Sequence, residues 1–134
     1  MYPAQVYQEI LRTITDDRVR ATANVLMKHV GAENAIELPE IARAVFGKVT
    51  ESSTRATREI LETLTVEHHL PVCSLSGKPG RWLAADEFER DAAARELESR
   101  GRQTLDRAAA LRRASVPAVF QPDNQPTQMG LWGG

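Results

Sequence analysis

Residues 38–83 constrain the fold of this chain more than any other stretch. Residues 39–46 have one apolar side and begin with Pro39, in the first turn of a helix where a missing amide hydrogen costs nothing. Gly47 follows and suits the left-handed conformation that often ends a helix. The pattern therefore predicts a short helix that stops in a tight turn.

A second helix is predicted over residues 51–67, with Thr50 as its N-cap. Helical spacing places one set of side chains on a core-facing side: Ser53, Ala56, Thr57, Ile60, Leu61 and Leu64. The opposite side is polar and consists of Glu51, Thr54, Arg55, Arg58 and Glu62. Two helices joined by a short turn are typical of a helix-turn-helix, which offers its second helix to a DNA major groove.

The pattern becomes extended after His69. Residues 70–75 and 81–84 are predicted to form two strands, joined by a glycine-rich loop over residues 76–80. Lys78 and Arg81 lie at or beside the tip of this hairpin, where they could reach a phosphate or a minor groove. We expect Trp82 to pack in the core rather than to stack on a base.

Together, residues 16–85 resemble the winged helix-turn-helix superfamily, in particular the small winged proteins of phages and mobile elements. The pattern that carries the resemblance is LPEIARAVFG, TESSTRATREILETL and LPVCSLSGKPGRWLA. It implies binding to double-stranded DNA, and arginine suits bidentate contacts with guanine or phosphate. The residues that we predict to contact DNA are Lys48, Ser52, Thr54, Arg55, Arg58, Lys78 and Arg81.

Two helices are predicted before this stretch. Residues 1–15 contain a supporting helix, since apolar residues recur at helical spacing over residues 3–14. Residues 17–30 form the first core helix, capped by Thr15 or Asp16 and ending at Gly31. A short extended piece around Ile36 is expected to pair with the wing.

A long helix is predicted over residues 86–115, with acidic residues at its start and arginines at its end, as the helix dipole favours. A weak heptad seam runs along it through Leu97, Gly101, Thr104, Ala108, Leu111 and Ser115. We favour homodimerisation through residues 86–115, or packing on the N-terminal helix. The alternative is a solvated arm, since this segment holds seven acidic and seven basic residues.

The last predicted elements are a flexible linker and a peptide motif. Residues 116–127 contain three prolines and a single charge, which predicts the linker. Residues 128–134 contain QMGLW, which resembles the clamp-binding peptide of bacterial replication and repair proteins. The resemblance implies that a bacterial sliding clamp is bound by Gln128, Met129, Leu131 and Trp132, the last replacing the usual phenylalanine. The alternative is an arbitrary tail without a partner.

Composition limits the classes of function. The net charge is -1, and the first 85 residues hold 10 basic and 10 acidic side chains, which argues against a nonspecific nucleic-acid coat. The single cysteine, Cys73, excludes an internal disulfide and fits a reducing compartment. No apolar run approaches the roughly 18 residues of a membrane span and no signal peptide is evident, so we expect a soluble, cytoplasmic protein.

Catalysis is not expected. The sequence has no nucleophile–base pair, phosphate-binding glycine loop or paired carboxylates at motif spacing, and it predicts no cofactor. His68, His69 and Cys73 do not make a convincing zinc site, because adjacent histidines diverge and a fourth ligand is missing. The predicted fold is mostly α with a small β-hairpin wing. Its predicted function is DNA binding in replication or transcription control, or protein contact as an adaptor that modulates a host replication or transcription factor.

Overall fold

Helices dominate the architecture. The computed structural model describes residues 3–117. Its elements in chain order are α1 (Pro3–Arg12), α2 (Asp17–Leu26), a 3-10 turn (Ala32–Asn34), α3 (Leu38–Phe46), α4 (Glu51–Val66), β1 (Val72–Leu75), β2 (Lys78–Leu83) and α5 (Glu87–Arg113). The predicted mostly helical chain with one small antiparallel hairpin and a long C-terminal helix is confirmed.

The helix ends follow from local side-chain chemistry. The Asp16 carboxylate accepts hydrogen bonds from the backbone amides of Arg18 and Val19 at 2.9 and 3.0 Å, which confirms it as the cap of α2. Thr50 and Ser53 form a reciprocal capping box at the start of α4. Gly47 ends α3 with φ 76°, as predicted, because a left-handed residue without a Cβ is unstrained.

The main core lies where α2, α3 and α4 pack on one another, with α1 and the hairpin closing it. On α4 the predicted core face is confirmed, since Leu61 and Leu64 are buried and Ile60 is half-buried. Buried Thr57 is satisfied by donating its hydroxyl to the carbonyl of Ser53 at 2.7 Å. The buried apolar residues are Tyr7, Ile14, Val19, Ala23, Leu26, Leu38, Ile41, Leu61, Leu64, Leu70 and Leu83.

The prediction for the end of the first core helix was wrong. α2 stops at Leu26, and Val30 instead pairs with Leu83 of β2. The amide of Leu83 donates to the carbonyl of His29 at 2.9 Å, and the amide of Gly31 donates to the carbonyl of Leu83 at 2.8 Å. Pairing with β2 therefore overrides the helical spacing. The extended piece at Ile36 is confirmed, since it pairs with Arg81.

The hairpin is tighter than predicted. β2 begins at Lys78, so the connection is the two-residue turn Ser76–Gly77 and not a loop over residues 76–80. Cys73 pairs with Trp82 and Leu75 with Lys78, which leaves residues 79–81 opposite one residue of β1. This bulge accommodates a proline, which cannot donate a ladder hydrogen bond.

Gly80 is required at that bulge. Its φ is 103°, and an added Cβ would lie 3.1 Å from both the Ala35 Cβ and the Ile36 carbonyl oxygen. The backbone of residues 35–36 can approach β2 closely only because Gly80 has no side chain.

A second, smaller core joins the hairpin to the start of α5. It contains Cys73, Trp82, Ala84 and Ala93, all buried. Core packing of Trp82, 1% exposed, is confirmed, although its Nε1 finds no acceptor among the described residues. Glu89 of α5 accepts from the backbone amides of Ala32 at 3.2 Å and Ala85 at 3.0 Å, and so fixes the start of α5.

The chain divides into two units, Met1–Glu98 and Ser99–Gly134, and α5 contains the boundary. Within α5, Ala93 is the buried residue, and Asp86 caps the helix by accepting from the Glu89 amide at 2.9 Å. None of the helices described over residues 3–117 has the length and apolarity needed to cross a membrane.

Candidate nucleic-acid interface

Two exposed guanidinium groups lie in the first two turns of α4. The side chain of Arg55 is 70% exposed, and its Nη2 lies 3.6 Å from a carboxylate oxygen of Glu51, one turn earlier. Arg58, one turn later, is exposed as well. Because exposed ion pairs contribute at most about 1 kcal/mol, Arg55 can exchange Glu51 for another anionic partner at little cost.

A hollow of about 350 Å³ lies at the N-terminal end of α4. Lys48 lines it with an exposed side chain, while its backbone carbonyl accepts from the Ser53 hydroxyl at 3.0 Å, which fixes the preceding loop. The other lining residues are Arg18, Phe46, Thr50, Ser52, Ser53 and Ala56. Two cations therefore adjoin a helix N-terminus, whose dipole also favours anions.

Arg18 is the residue that sequence reasoning missed. It belongs to the first turn of α2, and its guanidinium lies over the ring of Phe46 in α3, 4.5 Å from the centroid. This cation–π contact holds the charge at the mouth of the hollow. No sequence pattern indicates it, because only the packing of α2 on α3 brings Arg18 to Lys48.

The opposite end of α4 is acidic. A second hollow there is lined by Glu59, Glu62, Thr63, Val66 and Glu67. An approaching polyanion would be attracted to the first two turns of α4 and repelled by the last two. The cations of α4 and its neighbours thus lie toward its N-terminal end, beside the single exposed carboxylate of Glu51, and its C-terminal end is acidic.

The remaining predicted contact residues differ in accessibility. Ser52 is exposed and lines the hollow, whereas Thr54 is half-buried. Lys78 is exposed on the hairpin, next to the turn rather than at the tip of a long loop. Arg81 is half-buried, and its Nη1 donates to the carbonyl of Gly80 at 3.2 Å. Lys78 and Arg81 lie on β2 and do not line the hollow at α4.

The hairpin turn is held from the side of α5. A carboxylate oxygen of Glu96 accepts from the amide of Ser76 at 2.7 Å and from its hydroxyl at 2.6 Å. Both bonds have a carboxylate as acceptor and are therefore stronger than hydrogen bonds between two neutral groups. They fix the turn beside Lys78.

His68, His69 and Cys73 do not form a metal centre in the structure. Cys73 is buried and His69 is exposed, with the left-handed φ of 59° of a helix end. Burial, followed by the charge of Glu89, raises the pKa of the Cys73 thiol to about 11, which keeps it protonated near neutral pH. Over the part of the chain that the structure describes, no group of three or more His, Cys, Asp or Glu residues is arranged to hold a metal ion.

The predicted clamp-binding residues Gln128, Met129, Leu131 and Trp132 lie outside the described residues. Comparison of the chain with protein families, curated proteins and solved structures found no match.

Proposed function

We propose that residues 16–85 form a winged helix-turn-helix that binds double-stranded DNA, with α4 as its recognition helix and the β1–β2 hairpin as its wing. The observation that carries the proposal is the charge distribution of α4. Arg55 and Arg58 are exposed in its first two turns, Arg18 and Lys48 line a hollow at its N-terminal end, and its C-terminal end is acidic. The proposed function involves no catalysis.

Each side chain has a distinct role in this proposal. Arg55 and Arg58 contact base edges, where a good bidentate pair discriminates against a wrong base by about 1 to 3 kcal/mol. Lys48 and Arg18 bind phosphates, and Ser52 donates its hydroxyl to the same backbone. Thr54, being half-buried, presents only its outer edge.

The wing adds phosphate contacts. Lys78 is the stronger contributor because its side chain is exposed beside a turn that Glu96 holds in place. Arg81 contributes less, since its half-buried side chain already donates to a backbone carbonyl. The neutral charge of the first 85 residues keeps nonspecific affinity low, so that specificity depends on these few contacts.

Fragments of genomic DNA from the source organism that bind the immobilised protein are first selected. The selected duplex is then the probe for fluorescence anisotropy. Arg55→Ala with Arg58→Ala should lower affinity for the selected duplex by about 100-fold or more, the loss expected from two bidentate contacts. The matched control is Arg12→Ala with Arg102→Ala, which removes the same charge from exposed positions elsewhere. Unchanged affinity in the α4 double variant with an intact far-UV spectrum would overturn the assignment of the recognition helix.

Salt dependence separates DNA binding from the adaptor function that the neutral charge also favours. A DNA complex should weaken on a log–log plot with a slope of about -0.9 per phosphate contact. A complex with a host replication or transcription factor through an apolar surface should hardly change. Selection that enriches no DNA, together with a salt-insensitive protein complex, would favour the adaptor.

We also propose, from the QMGLW sequence alone, that residues 128–134 bind a bacterial sliding clamp and link DNA binding to replication. Burial of Leu131 and Trp132 would contribute about 1.5 to 3 kcal/mol each. A peptide of residues 122–134 should bind the clamp in calorimetry, and Leu131→Ala with Trp132→Ala should remove the heat. No heat and no competition with an established clamp peptide would leave a transcription regulator as the better hypothesis.

A further inference from the structure

The second half of α5 exposes large apolar side chains. Leu97, Leu105 and Leu111 are 60%, 72% and 69% exposed, and every residue from 97 to 113 is exposed except half-buried Ala109. A helical segment of this length is only marginally stable in water without a packed face. Its leucines are therefore suited to a partner outside the chain.

The charges of α5 identify that partner. Residues 87–98 hold five acidic and two basic side chains, whereas residues 99–113 hold five arginines and one aspartate. Two such helices side by side in antiparallel orientation set the acidic half of each against the basic half of the other. In parallel orientation, like charges would meet along the whole length.

We infer that α5 pairs with α5 of a second copy of this chain in an antiparallel, two-fold symmetric contact. This inference goes beyond DNA binding and stands whether or not α4 contacts DNA. The contacting surface, here called the α5 seam, consists of Leu97, Gly101, Thr104, Ala108 and Leu111, all exposed. Ser115, which the sequence placed on the same seam, lies beyond the end of α5.

The spacing of the seam fixes the register. Centring the pair between residues 102 and 103 sets Gly101 against Thr104 of the partner and Leu97 against Ala108. The Thr104 hydroxyl already donates to the Arg100 carbonyl of its own helix at 2.9 Å, so that its methyl group can face the seam. A side chain added at Gly101 would meet nothing within 4 Å in one copy, which leaves the space that a second helix can use.

Asp91 and Arg112 flank the seam and face each other across the pair in this register. Both are exposed, and over residues 3–117 the ionic partner of Asp91 is the exposed Arg90 at 3.0 Å. Two-fold symmetry forms this contact twice. The pair is therefore the natural place to test both the partner and its orientation.

Sedimentation velocity of the full chain should show a dimer at tens of micromolar. Asp91→Arg and Arg112→Asp should each raise the dissociation constant about fivefold or more, since two exposed ion pairs become repulsive. The combined variant should restore the affinity, because the charges are exchanged. Asp106→Arg, an equal charge change on the opposite side of α5, should leave the dimer unchanged.

Dipolar electron resonance tests the orientation in a Cys73→Ala background that carries one spin label at a time. A label at residue 103 should give a short distance between copies. A label at residue 113 should give about 32 Å plus the length of the labels, from a rise of about 1.5 Å per residue. A monomer at all concentrations, or a short distance at both positions, would overturn the inference.

Discussion

α4 and α5 are the longest described helices, and they are held in different ways. α4 (Glu51–Val66) buries a continuous side composed of Ser53, Thr57, Leu61 and Leu64. α5 (Glu87–Arg113) is longer but buries only Ala93, and its attachment depends on hydrogen bonds that Glu89 and Glu96 accept. The buried side of α4 therefore positions that helix along its length. α5 is instead positioned by a few polar contacts near its N-terminal end.

The difference in how α4 and α5 are held also bears on what their exposed surfaces can do. Because α4 is fixed along one face, its opposite face is presented in a defined orientation, as a recognition helix requires. The part of α5 beyond Glu98 has no buried residue among those described, so its exposed surface is suited to assembly. Four measurements test this difference between α4 and α5.

Leu64→Ala should produce the largest effect. Leu64 is fully buried in the main core, and truncation of such a leucine costs about 3 kcal/mol in the free energy of unfolding. The matched control, Leu105→Ala on α5, should cost less than about 0.5 kcal/mol in dilute, monomeric protein, because Leu105 is 72% exposed. Urea denaturation followed by circular dichroism measures both, and equal losses would contradict the contrast.

Glu89→Ala should cause the second-largest loss of stability. The substitution leaves the backbone amides of Ala32 and Ala85 without their acceptor, at a cost of about 2 kcal/mol in the free energy of unfolding. Glu87→Ala, an exposed carboxylate two residues earlier, is the control. Hydrogen exchange should show faster exchange at those two amides in the Glu89 variant. Unchanged exchange would mean that packing of Ala93 and the hydrogen bonds of Glu96 attach α5 without Glu89.

Alkaline pH should weaken the attachment of α5 through Cys73, whose Sγ lies 3.9 Å from the carbonyl oxygen of Glu89. Burial raises the pKa of this thiol from 9.0 to about 11. Because the folded pKa is the higher, stability is fully retained below pH 9 and falls by up to about 2 kcal/mol as the pH rises through 11.

Urea titrations from pH 7 to pH 11 test this expectation. Burial also raises the pKa of Tyr7, so that the wild type alone cannot isolate the thiol. Cys73→Ala is the control, and its stability should fall less steeply above pH 9. Parallel pH profiles for the wild type and this variant would assign the loss to other groups.

Gly101→Ala should change stability the least, and it should stabilise α5 rather than destabilise it. Alanine stabilises a helix interior by about 1 kcal/mol relative to glycine, and an added Cβ meets nothing within 4 Å. Exchange of the amides of residues 99–113 should therefore slow several-fold in dilute protein. Faster exchange would mean that the conformation at Gly101 departs from that of a regular helix.

Sequence reasoning succeeded where one local signal decided the structure. Pro39, Gly47 and Thr50 set the limits of α3 and α4, and apolar spacing identified the buried side of α4. It also placed Arg55 and Arg58 on an exposed surface. These features depend on residues within a few positions of each other, which a sequence displays directly.

It failed where distant segments decide the structure. The pairing of Val30 with Leu83 ended α2 early, and the contact of Arg18 with Phe46 depends on how two helices pack. The bulge at Pro79 and Gly80 shortened the hairpin loop and left Arg81 half-buried beside Ile36. No local pattern encodes these contacts, since each requires the positions of both partners.

The hydroxyl of Tyr7 donates to the carbonyl of Ala84, a residue 77 positions later. During synthesis on the ribosome, α1 is made before α2 to β2, and the Tyr7 hydroxyl has this acceptor only once Ala84 has been added. This hydrogen bond between Tyr7 and Ala84 can therefore form only after α2, α3, α4 and both strands have been made.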